Sequence, residues 1–128
     1  ARAGAAAGGA GGSVRVEPLS WDPAAARRLA REEGGFDLVL NCDCVFEPLY
    51  GDSWKLLAGC IEAVCGPRTE AIVAVQRREK DGVASFLERL AAELRVRRLP
   101  VQAAPGTERI ELFSLRRPDG QRAVATVD

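Results

Sequence analysis

Two apolar runs and two helical repeats dominate the order of hydrophobic and polar positions. Phe36 to Asn41, Phe-Asp-Leu-Val-Leu-Asn, and the Ala-Ile-Val-Ala-Val within Thr69 to Gln76 are almost uninterrupted and bounded by turn signals. Such runs predict strands covered on both faces, the habit of parallel sheets in α/β proteins. Between them Trp54, Leu57, Ala58, Ile61, Val64 and Cys65 recur at three- and four-residue steps. That spacing predicts a helix capped by Asp52 or Ser53 and ended by Gly66-Pro67. A second such helix starts at Asp81, with Val83, Phe86, Leu87, Leu90 and Leu94 on one face and Glu88, Arg89 and Glu93 on the other.

The flanks are less regular. Val14 to Leu19 has the alternation of a short strand, and Pro18 pushes it to an edge. Asp22-Pro23 is a helix start, closed by Gly34-Gly35, with Arg27, Arg28 and Arg31 on an exposed side. Beyond Arg95, Val96, Leu99 and Val101 make a ragged strand, Pro105-Gly106 a loop, and Ile110 to Leu115 an alternating strand that completes a hairpin-like pair. Arg117-Pro118-Asp119-Gly120 signals a turn, and Ala123 to Val127 a further strand or a tail. Alternating strands and helices followed by a hairpin predict a mostly parallel sheet with an antiparallel edge. The stretch Phe36 to Tyr50 is its centre, because open sheets of this kind bind ligands where strands end at their carboxyl side.

Composition narrows the chemistry. At 128 residues, 47% of them hydrophobic and 28% charged, the chain has ordinary globular usage. Eighteen basic and 18 acidic residues cancel, so nothing global argues for nucleic acid or an anionic membrane, and no apolar run approaches the ~18 to 20 residues of a membrane helix. Histidine is absent, which removes Ser-His and Cys-His nucleophilic catalysis and the commonest metal ligand. Cys42, Cys44, Cys60 and Cys65 match no zinc-ribbon spacing and lie in apolar segments, where a thiol behaves as a small buried hydrophobe. No metal is expected, and a reducing, cytoplasmic location is. The opening Ala-Arg-Ala-Gly-Ala-Ala-Ala-Gly-Gly-Ala-Gly-Gly reads as a flexible linker over residues 1–13, and it lacks the elements of a phosphate loop.

Three local signals carry a family resemblance from about Val14 to Leu115. They are Leu19-Ser20-Trp21, the run Phe36-Asp37-Leu38-Val39-Leu40-Asn41-Cys42-Asp43-Cys44-Val45-Phe46, and the terminal order of helix, strand, helix and two antiparallel strands. Together they resemble the seven-stranded, S-adenosylmethionine-dependent methyltransferases, and within them the protein-lysine group marked by a D-x-x-Y motif. The resemblance implies an α/β fold, a Rossmann-like class I methyltransferase sheet, mostly parallel with an antiparallel β-hairpin at the C-terminal edge. It implies residues 14–117 as the carboxyl-terminal part of that domain, with 118–128 a turn and tail or extra edge strand.

The site follows from the same resemblance. Asp43 and Phe46 are its catalytic pair, with Phe46 where the family usually has tyrosine. Trp21, Asn41 and Cys42 border the S-adenosylmethionine cofactor, and Glu47 and Tyr50 shape the substrate channel. The chemistry is coherent: methyl transfer to an amine needs in-line positioning and a neutral nucleophile, a carboxylate can orient the amine, and an aromatic face favours a cation. The expected partner is a protein substrate, with neither nucleic acid nor membrane, and a larger assembly is allowed for. The family's glycine-rich cofactor loop and ribose-binding acid have no counterpart in this sequence. In the family's strand order, 3-2-1-4-5-7-6, strands one and two are then missing, which leaves unpaired edges. The chain is therefore expected to be part of a longer protein or to need a partner. The alternative is a catalytically silent methyltransferase-like subunit that serves as an assembly or packing element.

Overall fold

A computed structural model describes residues 2–4 and 11–118. The elements run β1 (Arg2–Gly4), β2 (Ser13–Arg15), α1 (Pro23–Glu32), β3 (Leu38–Cys42), α2 (Glu47–Tyr50), α3 (Trp54–Val64), β4 (Glu70–Gln76), α4 (Val83–Ala91), β5 (Arg95–Leu99) and β6 (Ile110–Arg116). Asp22 caps α1 as its sequence predicts, its Oδ1 accepting the Ala24 N–H at 3.0 Å with Pro23 in the first turn. The four-residue helix α2 was not predicted: one turn is too short to show a period, and its sequence reads as a polar bend. Asp81 lies before α4 rather than inside it, with Gly82 at the cap in a left-handed conformation, φ 84°. The segment expected as strand or tail at Ala123 to Val127 lies outside the described residues.

The main sheet has the order β3-β4-β6-β5, which coincides with the 4-5-7-6 end of the expected order. Its pairing corrects the mostly parallel expectation. Only β3 and β4 are parallel neighbours, while β6 pairs antiparallel with both β4 and β5. The reason is that β6 fills the slot between β4 and β5, where the 5-7-6 end of the expected order puts it, and with the parallel strands before β3 absent from the described sheet this one reversed strand makes two of its three ladders antiparallel. β5 is left as one edge and β3 as the other.

Strand β3 also departs from its predicted burial. Register places Val39 and Asn41 beside Ala71 and Val73, on the face against which α3 and α4 pack. There Val73, Val75, Val83, Phe86, Leu90 and Leu115 are fully enclosed, and each large apolar side chain buried in this way contributes roughly 1.5–3 kcal/mol. Leu38 and Leu40 point to the other face and remain 54% and 72% exposed. The apolar run is thus covered on one face, not two, and its outer edge has no neighbour among the described residues.

The β2 segment stands apart from the main sheet. Ser13–Arg15 pairs antiparallel with Arg2–Gly4 in a separate two-stranded sheet, so the stretch read as a linker has strand pairing at both ends. Helix α1 reaches the body through α3. A methyl group at Gly59 would come 2.7 Å from the Pro23 ring, and the missing side chain is what lets the two helices approach. The start of β3 is tied down by Thr69, which is buried and donates its hydroxyl to the Phe36 carbonyl at 2.6 Å while accepting the Gly66 N–H at 3.0 Å. No helix among the described residues is long and apolar enough to cross a membrane.

Candidate active site

The carboxyl end of β3 is set by Asp43. Its N–H continues the parallel ladder to the Ala74 carbonyl at 2.8 Å, and its φ of 52° turns the chain out of the sheet. Aspartate tolerates that left-handed conformation better than most residues because its short side chain bonds locally. Here Asp43 Oδ1 accepts the Gln76 N–H at 3.2 Å, across the end of β4. Two residues on, Val45 is buried in the core, and Phe46 follows, half-buried, at the start of α2. The motif is therefore pinned at its middle by Val45, and Asp43 and Phe46 approach the same side chain.

What faces them is Arg78. Its guanidinium grips Asp43 with two prongs, Nη1 to Oδ1 at 3.2 Å and Nη2 to Oδ2 at 2.7 Å, and donates to Gln76 Oε1 at 3.0 Å. The same group lies 5.0 Å from the centre of the Phe46 ring, inside cation–π range. Arg78 thus brings the two predicted catalytic residues together. Its hydrogen bonds, more than the opposing effect of burial, hold the Asp43 carboxyl below its ordinary pKa. Asp43 is consequently a firm anion and a poor general base at neutral pH.

Arg78 is itself positioned by Asp81. That buried carboxylate accepts the Arg78 N–H at 2.8 Å, the Val83 N–H at 2.9 Å and the Arg77 Nε at 3.0 Å. Burial pushes the Asp81 pKa up, but these donors outweigh it and the net shift is downward. Arg77 reaches on to Glu111 at 3.3 Å. Neither arginine was singled out from sequence. The available signal was positional: parallel neighbours end together, so charges just past β4 arrive beside the acid that ends β3.

Glu47 and Tyr50 are placed differently. Glu47 Oε1 accepts the Trp54 indole N–H at 2.8 Å, its backbone N–H donates to the Asp81 carbonyl at 3.0 Å, and its side chain lies over Gly82. It clasps α2 to the Asp81-Gly82 turn. Tyr50 is 53% exposed, beside the exposed Leu49.

The three residues expected at the cofactor divide in two. Trp21 and Asn41 line a cavity of about 340 Å³ whose other walls include Leu19, Ala26, Leu38 and Leu57. Trp21 packs on the core and walls the cavity at once. Asn41 Oδ1 is buried and has no hydrogen-bond partner among the described residues. A buried acceptor left unpaired is costly, and a donor brought against it would relieve that cost. Cys42 is exposed and lies outside this lining, its carbonyl accepting the Cys44 thiol at 3.3 Å. Cys60 and Cys65 are buried thiols, the latter pushed up to about 11 by burial, and so are inert packing groups. A second cavity, of about 470 Å³, lies between β2 and α1, but Arg15 there is paired with Glu17 and Glu33 and the carboxyl ends of the main strands are elsewhere.

A family model described as lysine methyltransferase matches residues 5–93, a span that contains Trp21, the whole Asp43–Phe46 motif and Arg78. The chain belongs to the lysine methyltransferase family. Among curated proteins it is similar to the secreted RxLR effector protein 48 of Plasmopara viticola, at 36% identity over 110 residues. That alignment covers 81% of this chain and 56% of the relative, so the chain spans a little over half of that protein's length. In this methyltransferase-family chain the matched span ends within the Glu93 turn after α4, and the β5–β6 hairpin lies beyond it.

Proposed function

We propose that the chain forms the acceptor side of an S-adenosylmethionine-dependent protein-lysine methyltransferase whose cofactor site is completed by further polypeptide on the β3 edge. The observation that carries the reading is the cavity walled by Trp21 and by Asn41, whose buried Oδ1 has no partner among the described residues, next to the strand end that bears Asp43. An aromatic wall, apolar side chains and one acceptor in want of a donor suit a flat heterocycle with an exocyclic amine. The adenine end of S-adenosylmethionine has that chemistry, so Trp21 and Asn41 would hold it, with Cys42 at the exposed rim. When bound, the cofactor supplies an electrophilic methyl group on a sulfonium.

The chain's own residues would then handle the acceptor. Asp43, held ionised, accepts a hydrogen bond from the lysine amine and fixes its direction. Phe46 offers a face for the cationic form, without the hydroxyl of the more usual tyrosine. Tyr50 and Leu49, exposed on α2, border the approach together with the Glu47 clasp. The exposed Leu38 and Leu40 support the incomplete edge, since an apolar strand edge left open invites pairing.

Calorimetric titration of the full-length protein with S-adenosylmethionine and with its demethylated product tests this. Binding is expected, weakened about tenfold or more by Trp21→Ala, the loss of one stacked aromatic wall. No heat with either compound would sink the enzyme reading and leave the catalytically silent subunit, which the Tyr-to-Phe exchange at Phe46 already favours.

A further inference from the structure

The cation position of the site is filled by the chain's own Arg78. An ionised carboxylate offers about four lone-pair positions. Arg78 takes two on Asp43 and the Gln76 N–H takes a third, which leaves one. The guanidinium also lies over the Phe46 ring. A lysine amine that is to be aimed by Asp43 and received by Phe46 meets a like charge already there.

We propose that Arg78 is a specificity-determining residue that selects acceptor lysines flanked by carboxylates, an inference that rests on the lysine-methyltransferase reading above. A planar fork suits a carboxylate and an aromatic face better than a point-like ammonium does, so an isolated lysine competes poorly. The competition changes if the substrate brings an anion. Arg78 is about one-third exposed, so its side chain can swing outward, but the nearby carboxylates of its own chain are engaged. Asp81 holds Arg77 and two backbone N–H groups, and Glu47 holds Trp54. An aspartate or glutamate beside the acceptor lysine gives Arg78 a new partner while the lysine takes its place on Asp43. One ion pair is exchanged for two in the bound complex, and the lysine ammonium must release a proton to water before the neutral amine, still hydrogen-bonded to Asp43, can take a methyl group.

The test uses full-length protein and two peptides, Gly-Gly-Glu-Lys-Glu-Gly-Gly and its counterpart with glutamines for both glutamates. Wild type is expected to bind the glutamate peptide roughly fivefold or more tighter, about what one well-formed ion pair yields. In Arg78→Gln the preference should vanish and the glutamine peptide should bind severalfold tighter than it does to wild type. Equal binding of the two peptides by wild type, or equal weakening of both by Arg78→Gln, would overturn the proposal. Should Arg78→Gln not fold, Arg78→Lys keeps the charge without the fork and should shrink the preference; an undiminished preference would overturn the proposal equally. Steady-state methylation adds a readout that a merely structural role would not move, a fall in KM for the glutamine peptide in Arg78→Gln. The titrations need no turnover. A protein that shows the charge preference but transfers no methyl group refutes the enzyme reading alone, and one that methylates both peptides alike refutes this inference alone.

Discussion

The two edges of the main sheet are built on opposite principles. The β5 edge carries Arg95, Arg97 and Arg98, all exposed, in a strand of five residues. Charge on a short edge strand repels further pairing, and soluble proteins use it to end a sheet. The β3 edge carries Leu38 and Leu40 and no lysine or arginine within the strand. Nothing in its composition resists a neighbour, and the unpaired Asn41 acceptor lies on the same strand. The difference separates a finished edge from an open one among the described residues: the arginine side repels a further strand, and the leucine side does not.

The largest effect should come from the finished side. Leu115, enclosed between Ala71 and Val96 in the register, should lose about 2–5 kcal/mol on substitution by alanine, read by urea unfolding. A loss under about 1 kcal/mol would mean the β6 slot is not closed. Next is Leu40→Arg in the full-length protein, which should cost about 2 kcal/mol or more because a charge would enter a covered interface. If it costs less than about 0.5 kcal/mol, as exposed positions do, the contrast between the edges collapses.

Gly82→Ala probes the turn between them. A methyl group there would sit 2.5 Å from Glu47 Cγ at a φ of 84°, so a loss of about 1–3 kcal/mol is expected, together with an altered Trp54 fluorescence as the clasp opens. The smallest effect concerns acid. Asp43 has a lowered pKa in the folded protein, so its pair with Arg78 stabilises above the unfolded value and the contribution is lost as pH falls through the lowered one. Both partners are about one-third exposed, so screening keeps the effect small. Arg78→Gln should therefore flatten the acid limb of stability below about pH 4, leaving the rest of the profile in place. Asp43→Asn, which keeps the turn and the Gln76 contact, is a cleaner activity probe than Asp43→Ala, because alanine would also strain the φ of 52°.

Much of this fold is legible in the sequence where a period repeats. Helices α3 and α4 and strand β4 follow their apolar spacing to within a few residues, and Asp22-Pro23 opens α1 as its chemistry dictates. The exposure of β3 is not legible, because Phe-Asp-Leu-Val-Leu records the contacts a strand is suited to and not those present beside it. The slot of β6 is not in its alternation, which marks a strand without placing it; it came with the resemblance, whose 5-7-6 strand order β6 fills. At the site, Asp43 and Phe46 were readable as a motif, whereas Arg78 reads as ordinary surface charge until the parallel register of β3 and β4 brings it across.

Val45 has a consequence for how the site is lost. It is 1% exposed and belongs to the same cluster as Val73, Phe86 and Leu115, while Asp43, two residues before it, and Phe46, the residue after it, hold Arg78. The geometry between Asp43 and Phe46 is thus tied to the interior by the Val45 side chain and to β4 by the Asp43 hydrogen bonds. The Asp43 amide hydrogen, bonded to the Ala74 carbonyl, should exchange with the slow, globally protected class, and heating should erase the site in the same cooperative step that melts the core.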